Sequence, residues 1–387
     1  MKNLTELEEE IYKCSKCGLC QKVCPVYKAT GNECSLSRGK FTMLNGVVHK
    51  HLEMNNDILK YVDMCLNCNA CKNFCPSNID AREIFRSVKS EYKKTHKNVF
   101  KMFFTSYFIF KILMTILNIC IRITRFLKID KLILKNNTFF CPTLVLIARL
   151  LKIRTKRKKV STAFKNSKII YFQGCSNKYI NPSTKNATLN LLNKQSIIPQ
   201  TPNFECCGLA YYTSGRSEEL KKIVNQNLKK LPKTFDFVIT DCASCEFMLK
   251  MYLEFADEKY IEKAKNLKEK LISITDFLSQ RGFEFPKSDT TFTYHKPCHS
   301  NFSPKVNHPN YIKMNEFDSC CGFAGTFAFK HNKISKTIAQ SKVQNILKTK
   351  AKTVITTCPS CIIGLLRGLI DSQITDVEVK NLIELYD

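Results

Sequence analysis

The apolar positions of the first 96 residues follow a helical rhythm rather than an alternating one. Phe41, Leu44, Val48 and Leu52 step by three and four, which predicts a helix between two cysteine-rich turns. From residue 102 the chain turns strongly apolar over MFFTSYFIFKILMTILNICIRITRFL, where Lys111, Thr115, Asn118, Arg122 and Arg125 step by four, three, four and three. These five make one narrow polar stripe opposite a broad face of Phe, Ile, Leu and Met. A second apolar stretch, TLVLIARLLKI, runs into KIRTKRKK. Beyond residue 168 the pattern changes to short β-rich runs, KIIYF, FDFVIT, TFTY and KTVITT. Amphipathic helices such as that of Leu220, Ile223, Val224 and Leu228 follow them. The expected fold is therefore multidomain α+β: an α-helical N-terminal module, then duplicated α/β units.

Composition narrows the class. With 387 residues, 44% of them hydrophobic, the chain can bury a substantial core, which excludes disordered, collagen-like and mucin-like readings. The formal charge of +28 is unevenly spread: between Lys97 and Lys168 there are 17 Lys or Arg and one acid, Asp130. A basic segment that is also apolar suits an anionic bilayer surface, and Arg154, Lys156, Arg157, Lys158 and Lys159 resemble a lipid-facing patch more than a DNA reader. Lys111 interrupts the apolar run near its centre, which disfavours a true span. Packing on the rest of the protein or on a partner chain stays open as the other reading. The start MKNLTELEEEIYK has acids where a signal peptide needs a basic and then apolar opening, so a cytoplasmic location is expected, peripheral on the inner face of the cell membrane.

In a reducing compartment, 21 cysteines point to metal rather than disulfides. Cys14, Cys17, Cys20 and Cys24 form a C-x2-C-x2-C-x3-C-P run, and Cys65, Cys68, Cys71 and Cys75 repeat it, each closed by a proline, Pro25 and Pro76. Three thiolates on one tight turn can hold three irons of a cubane, and in two-cluster ferredoxins the fourth cysteine serves the other cluster. The spacing thus predicts two [4Fe-4S] clusters, one on Cys14, Cys17, Cys20 and Cys75, the other on Cys65, Cys68, Cys71 and Cys24. Zinc is the competing metal, but structural zinc sites usually use two separated C-x2-C pairs.

A second cysteine pattern occurs twice. Cys175, the pair Cys206 and Cys207, and Cys242 with Cys245 are followed about 116 residues on by Cys298, the pair Cys320 and Cys321, and Cys358 with Cys361. VITDCASC aligns on VITTCPSC, marking a duplication. The first copy has 30 residues between its leading cysteine and its pair, the second only 21. Ends of parallel strands can bring such separated cysteines together. Five thiolates exceed the need of one tetrahedral zinc, and adjacent cysteines can flank irons of a larger cluster.

The CCG signature with its upstream Cys and downstream C-x2-C resembles the cysteine-rich domain found in heterodisulfide reductases. That resemblance implies a non-cubane [4Fe-4S] cluster on the five cysteines of each copy. Two ferredoxin motifs followed by two such domains resemble the glycolate oxidase iron-sulfur subunit family, as well as the corresponding component of anaerobic glycerol-3-phosphate dehydrogenase. GCSNKYINPSTKNAT and CCGFAGTFAFKH look most like the glycolate oxidase component and its lactate-oxidising relatives. The shortened second copy leaves zinc or an empty thiol site as alternatives there.

The expected organisation is a ferredoxin-like domain over 1–96, a basic apolar helical linker over 97–167, and cysteine-rich domains over 168–286 and 287–387. His295, His299 and His331 lie near the second set, but the thiolates already supply enough ligands, so satisfied surface or cluster-neighbouring roles are expected of them. Cys120 and Cys141 lie in apolar surroundings, and Cys34 has no partner by spacing. There is no dinucleotide fingerprint, phosphate loop or catalytic triad, so flavin would belong to a partner and no residue is assigned acid or base work. The resemblance implies an electron-transfer subunit of a respiratory 2-hydroxyacid dehydrogenase, with an FAD-containing dehydrogenase subunit and the membrane quinone pool as partners and no nucleic acid. A disulfide reductase and a metal-stabilised docking protein are the competing readings.

Overall fold

A computed structural model of the chain describes residues 3–92, 142–153, 168–283, 288–300 and 308–386, with a few isolated positions between them. The basic stripe from Lys111 to Arg125 and the cluster from Arg154 to Lys159 lie outside the described residues. No helix among the described residues is long and apolar enough to cross a membrane.

The N-terminal part is helical, and its two cysteine turns share one backbone trick. Lys16 and Gly18 in the first, and Asn67 and Asn69 in the second, take left-handed conformations at φ 57°, 83°, 55° and 62°. Two left-handed residues per turn curl the chain so that three thiols face one side, at positions where Gly and Asn are the residues that tolerate it best. Each turn runs into a short helix, Leu19–Val23 and Ala70–Asn73. Cys24 is extended, and Pro25 then opens the helix Pro25–Thr30 at the position where a missing N–H costs nothing.

The helix expected from Phe41 and Leu44 spans Ser37–Val48 and buries both. It stops short of Leu52. Lys50 takes a left-handed conformation, and the backbone N–H groups of His51 and Leu52 both donate to the Gly46 carbonyl, folding Leu52 back out of the helical stripe. Together with Leu4, Leu7, Ile58, Ile84, Phe85 and Val88, this helix makes the module's core.

Each later unit is a three-stranded parallel sheet. β1 (Ile169–Tyr171), β2 (Phe237–Thr240) and β3 (Leu271–Ser273) run side by side in that order, as do β4 (Phe292–Tyr294), β5 (Thr353–Thr356) and β6 (Glu378–Asn381). Pairing Tyr171 with Ile239 and Tyr294 with Ile355 puts the two copies in the same register. Both central strands are almost wholly buried, as expected of parallel sheets covered by helices on both faces. The extra residues of the first copy form a helix, Pro182–Lys194; among the described residues no helix occupies the shorter stretch of the second.

The units pack on one another. The helix Pro25–Thr30 lies on the long helix Asn332–Lys348, sealed by Val26, Leu66, Phe327 and Ile338. The helix Ala81–Tyr92 meets Leu209–Ser214, where Lys89 Nζ donates to the Thr213 carbonyl at 3.2 Å. The apolar stretch TLVLIARLLKI belongs to a helix, Pro142–Ile153, that packs on Pro359–Asp371 through Val145 and Ala148. Arg149 holds it there with a 2.8 Å hydrogen bond to the Ile374 carbonyl.

Candidate metal centres

The cysteines gather in two places. Cys14, Cys17, Cys20, Cys71 and Cys75 line one small cavity of about 40 Å³, so the fourth cysteine of the second repeat faces the three of the first. Cys24 points the other way, packing with Cys68 in the junction core and lying near Cys65. Local donors face the sulfurs: the Asn67 N–H is 3.4 Å from Cys65 Sγ, and the Arg38 N–H meets Cys20. Lys40 is a buried cation beside Cys24, Cys65 and Cys71, its Nζ 2.8 Å from the Met64 carbonyl. Burial holds its ammonium below the usual lysine range, while neighbouring thiolates pull it back up.

All ten cysteines of the duplicated pattern line a single cavity of about 160 Å³. This follows from the sheets: Cys242 and Cys358 lie two residues beyond the ends of β2 and β5, and the pairs Cys206–Cys207 and Cys320–Cys321 come in on loops from the side. Cys175 and Cys206 are 3.7 Å apart between sulfurs. The Gly208 N–H aims at Cys206 Sγ from 3.5 Å. Across the duplication, Cys358 Sγ lies against Cys242 and 3.3 Å from the Ser244 hydroxyl, while the Ala243 N–H donates to the Thr357 carbonyl at 3.2 Å. The first repeat's fourth cysteine, Cys24, and Cys68 share their core with Cys298 and Cys320, so the ferredoxin turns reach the second set directly.

None of the 19 described cysteines is in a disulfide, and Cys34 joins neither group. Free thiols converging in this way, without oxygen ligands, suit thiophilic iron or zinc and exclude the oxygen-seeking magnesium and calcium. The sets of four in the N-terminal turns and of five in the later cavity have the donors an iron-sulfur group needs.

The environments of the two duplicated sets differ. Beneath Cys242, Asp241 is buried and accepts hydrogen bonds from Tyr171, Asn177 (2.6 Å) and Thr188 (3.0 Å). Burial pushes its carboxyl up to about 6, against those three hydrogen bonds. The equivalent residue beyond β5 is Thr357. Near Cys320 and Cys321 lies instead the buried Lys342, whose Nζ is 2.5 Å from the Glu316 carbonyl and which burial lowers to about 8.

The histidines divide. His299 is satisfied, with Nε2 3.0 Å from the Asn67 carbonyl and its ring stacked on Phe247 at 4.6 Å; Arg82 covers the same Phe247 ring at 4.8 Å. His331 is 3.9 Å from Asp63. His295 is completely buried, its ring has no oxygen or nitrogen partner, and it faces the Cys321 thiol.

Comparison with known families agrees with this division of the cysteines. Residues 10–79 match the 4Fe-4S dicluster domain, and residues 169–250 and 292–365 each match the cysteine-rich domain called CCG. The probable glycolate oxidase iron-sulfur subunit of Bacillus subtilis is 25% identical over 94% of this chain and 90% of its own length. The chain thus carries both kinds of domain and is similar over most of its length to a glycolate oxidase iron-sulfur subunit. One of the subunits of dihydromethanophenazine:CoB–CoM heterodisulfide reductase from Methanosarcina acetivorans is 26% identical over 99% of the chain and 95% of that protein. Lactate utilization protein A of Oceanobacillus iheyensis is 28% identical over 47% of the chain and 80% of that protein. The first of these relatives is an iron-sulfur subunit of an oxidase and the second a subunit of a reductase, and the likeness supports an oxidoreductase electron-transfer role.

Proposed function

We propose that this chain is the iron-sulfur subunit of a respiratory 2-hydroxyacid dehydrogenase, oxidising glycolate or lactate through an FAD-containing partner and passing electrons toward membrane quinone. In this reading the N-terminal turns hold two [4Fe-4S] clusters in the crossed arrangement: Cys14, Cys17, Cys20 with Cys75, and Cys65, Cys68, Cys71 with Cys24. Cys175, Cys206, Cys207, Cys242 and Cys245, and Cys298, Cys320, Cys321, Cys358 and Cys361, hold the further iron-sulfur centres. Such centres carry one electron at a time, which lets them divide a flavin's pair.

The observation that carries the reading is continuity. Cys71 lines the first cavity, Cys68 packs with Cys24 beside Cys298, and Cys358 touches Cys242. Thiols therefore run without a break from the N-terminal turns through the second duplicated set to the first. Lys40 and Lys342 set buried positive charge beside this run, opposing the negative charge that thiolates accumulate. Contact with an anionic membrane face is supported by the +16 of residues 97–168 and by Ile112, Ile116, Ile119 and Ile123, helical positions at spacings of four, three and four that are all exposed.

The test is Cys68→Ala. It should remove one cubane and stop substrate-driven quinone reduction while the flavin subunit remains reducible by hydroxyacid. Full quinone-linked activity in that variant would end the proposal. One observation favours a second reading: both five-cysteine sets open on one cavity walled by Leu66, Leu209, Phe323, Pro297 and Pro359, so a disulfide could meet both. Reduction of a disulfide by the isolated chain, given an artificial electron donor, would move the assignment there.

A further inference from the structure

We propose that His295 is a metal ligand. At the second duplicated site its imidazole gives a ring nitrogen to an iron that Cys321 and Cys361 also hold, making that site a mixed nitrogen–thiolate centre beside an all-thiolate first site. The inference rests on the reading that an iron-sulfur centre occupies the second set of five cysteines.

Geometry comes first. A ring nitrogen of His295, the sulfur of Cys321 and the sulfur of Cys361 all lie within 4.8 Å of one another. Donors around one tetrahedral ion with bonds of 2.0–2.3 Å sit about 3.5 Å apart, so small side-chain movements close this trio on an ion. All three residues are buried, and the His295 ring, with no oxygen or nitrogen partner of its own, faces the Cys321 thiol. Buried polar atoms in natural structures are nearly always paired, and here the polar neighbours offered to the imidazole are thiols.

The duplication supplies an internal control. The backbone N–H of His295 donates to the Ile355 carbonyl at 2.8 Å, and the backbone N–H of Phe172 donates to the Ile239 carbonyl at 2.8 Å. Ile355 and Ile239 are the same residue of the repeated VIT strand, so Phe172 is the first copy's counterpart of His295. Phe172 is buried and packs on Phe204 with ring centres 4.9 Å apart. The fold thus needs only a flat ring at this position, and phenylalanine meets that need at no polar cost. Packing explains Phe172; it does not explain an imidazole nitrogen set against a pair of thiols.

The imidazole joins five cysteines that are all in place, so it adds a neutral donor without removing a thiolate, and it marks one iron of the second site as different from the others.

The test uses the full chain, purified anaerobically with its iron and acid-labile sulfide counted, and grown with 15N-histidine. Pulsed EPR across a redox titration reads nitrogen bound to iron, since an odd-electron state of each centre is reached in turn. The expected result is a strongly coupled histidine nitrogen that vanishes in His295→Phe, a change the first copy already accommodates. Cys361→Ser serves as the reference for occupancy. If Cys361→Ser loses iron but wild type shows no strongly coupled histidine nitrogen, or the coupling survives His295→Phe, the ligand assignment falls while the site remains. If Cys361→Ser loses no iron, the underlying reading of the site falls and the ligand with it.

Discussion

The crossed ligation of the N-terminal clusters can be decided by counting irons in paired variants. Cys75 shares a cavity with Cys14, Cys17 and Cys20, whereas Cys24 packs with Cys68 and lies near Cys65. Replacing Cys17 and Cys75 together therefore strips two of four thiolates from one cluster and none from the other. Replacing Cys17 and Cys24 together takes one thiolate from each. The first variant should lose about four irons per chain, the content of one cubane, and keep one intact cubane signal. The second should keep no four-thiolate cubane at all. Iron and sulfide analysis, with EPR spin counting after dithionite reduction, reads both outcomes, and the cysteine-rich sites are common to both variants and cancel. Were each repeat to hold its own cluster, the pattern would invert: Cys17→Ser with Cys24→Ser would keep an intact cubane, and Cys17→Ser with Cys75→Ser would not. That inversion would refute the crossing.

Two further outcomes follow from packing and charge. Gly364 faces the second CCG loop so closely that an added Cβ would lie 2.6 Å from Phe323 Cβ and 3.2 Å from Cys321 Sγ. Gly364→Ala should cost roughly 1–3 kcal/mol by overpacking and lower iron retention at the second site, read by thermal melting and iron analysis; an unchanged melt and iron content would contradict it. For Asp80, burial pushes the carboxyl up, but hydrogen bonds and charge from Arg82 and Lys72 outweigh it and hold it down to about 2. A carboxylate depressed from 3.8 contributes stability that is complete above its unfolded value and is lost as pH falls through 3.8 toward 2. The shift is worth roughly 2 kcal/mol, reduced to about 1–2 by solvent screening of a partly exposed pair. Urea midpoints of wild type and Asp80→Asn should therefore differ by a constant amount between pH 5 and about 8, and a gap that changes across that interval would overturn the argument.

What the sequence discloses depends on how local the cause is. The cubane turns are legible because ligand spacing and backbone curl are fixed within a dozen residues: Gly18 and Asn69 stand where the left-handed conformation is needed. The duplication is legible because β2 and β5 repeat nearly the same letters. The common cavity is not, since Leu66, Val26, Phe327 and Ile338, which bring the turns to the CCG loops, carry an apolar pattern no different from that of any core. Leu52 is lost to a single left-handed residue, Lys50, that ends its helix early. His295 occupies a middle case. Beside Cys298 it reads as one histidine among three, yet laying TFTYHKPC on KIIYFQGC sets it over Phe172, and that mismatch was available from the letters alone.

The two duplicated sites should differ in potential because of the charges buried beside them. Asp241 lies buried directly behind Cys242, whereas Thr357 fills the same place behind Cys358, and the buried Lys342 stands near Cys320 and Cys321. A carboxylate behind one site and an ammonium beside the other act in the same sense, favouring the electron-rich state at the second site and opposing it at the first. In an interior with an effective dielectric near 20, one such charge amounts to about 1–2 kcal/mol, roughly 50–100 mV for a single electron. Lys342→Met should lower the midpoint of the second centre by about that amount and leave the N-terminal clusters in place. Asp241→Asn, which keeps the shape and most of the hydrogen bonds, should raise the midpoint of the first. Redox titration of each centre against wild type measures both. If either charge is removed and its centre moves less than about 20 mV, the buried charges are screened by their own hydrogen bonds and the asymmetry has another origin.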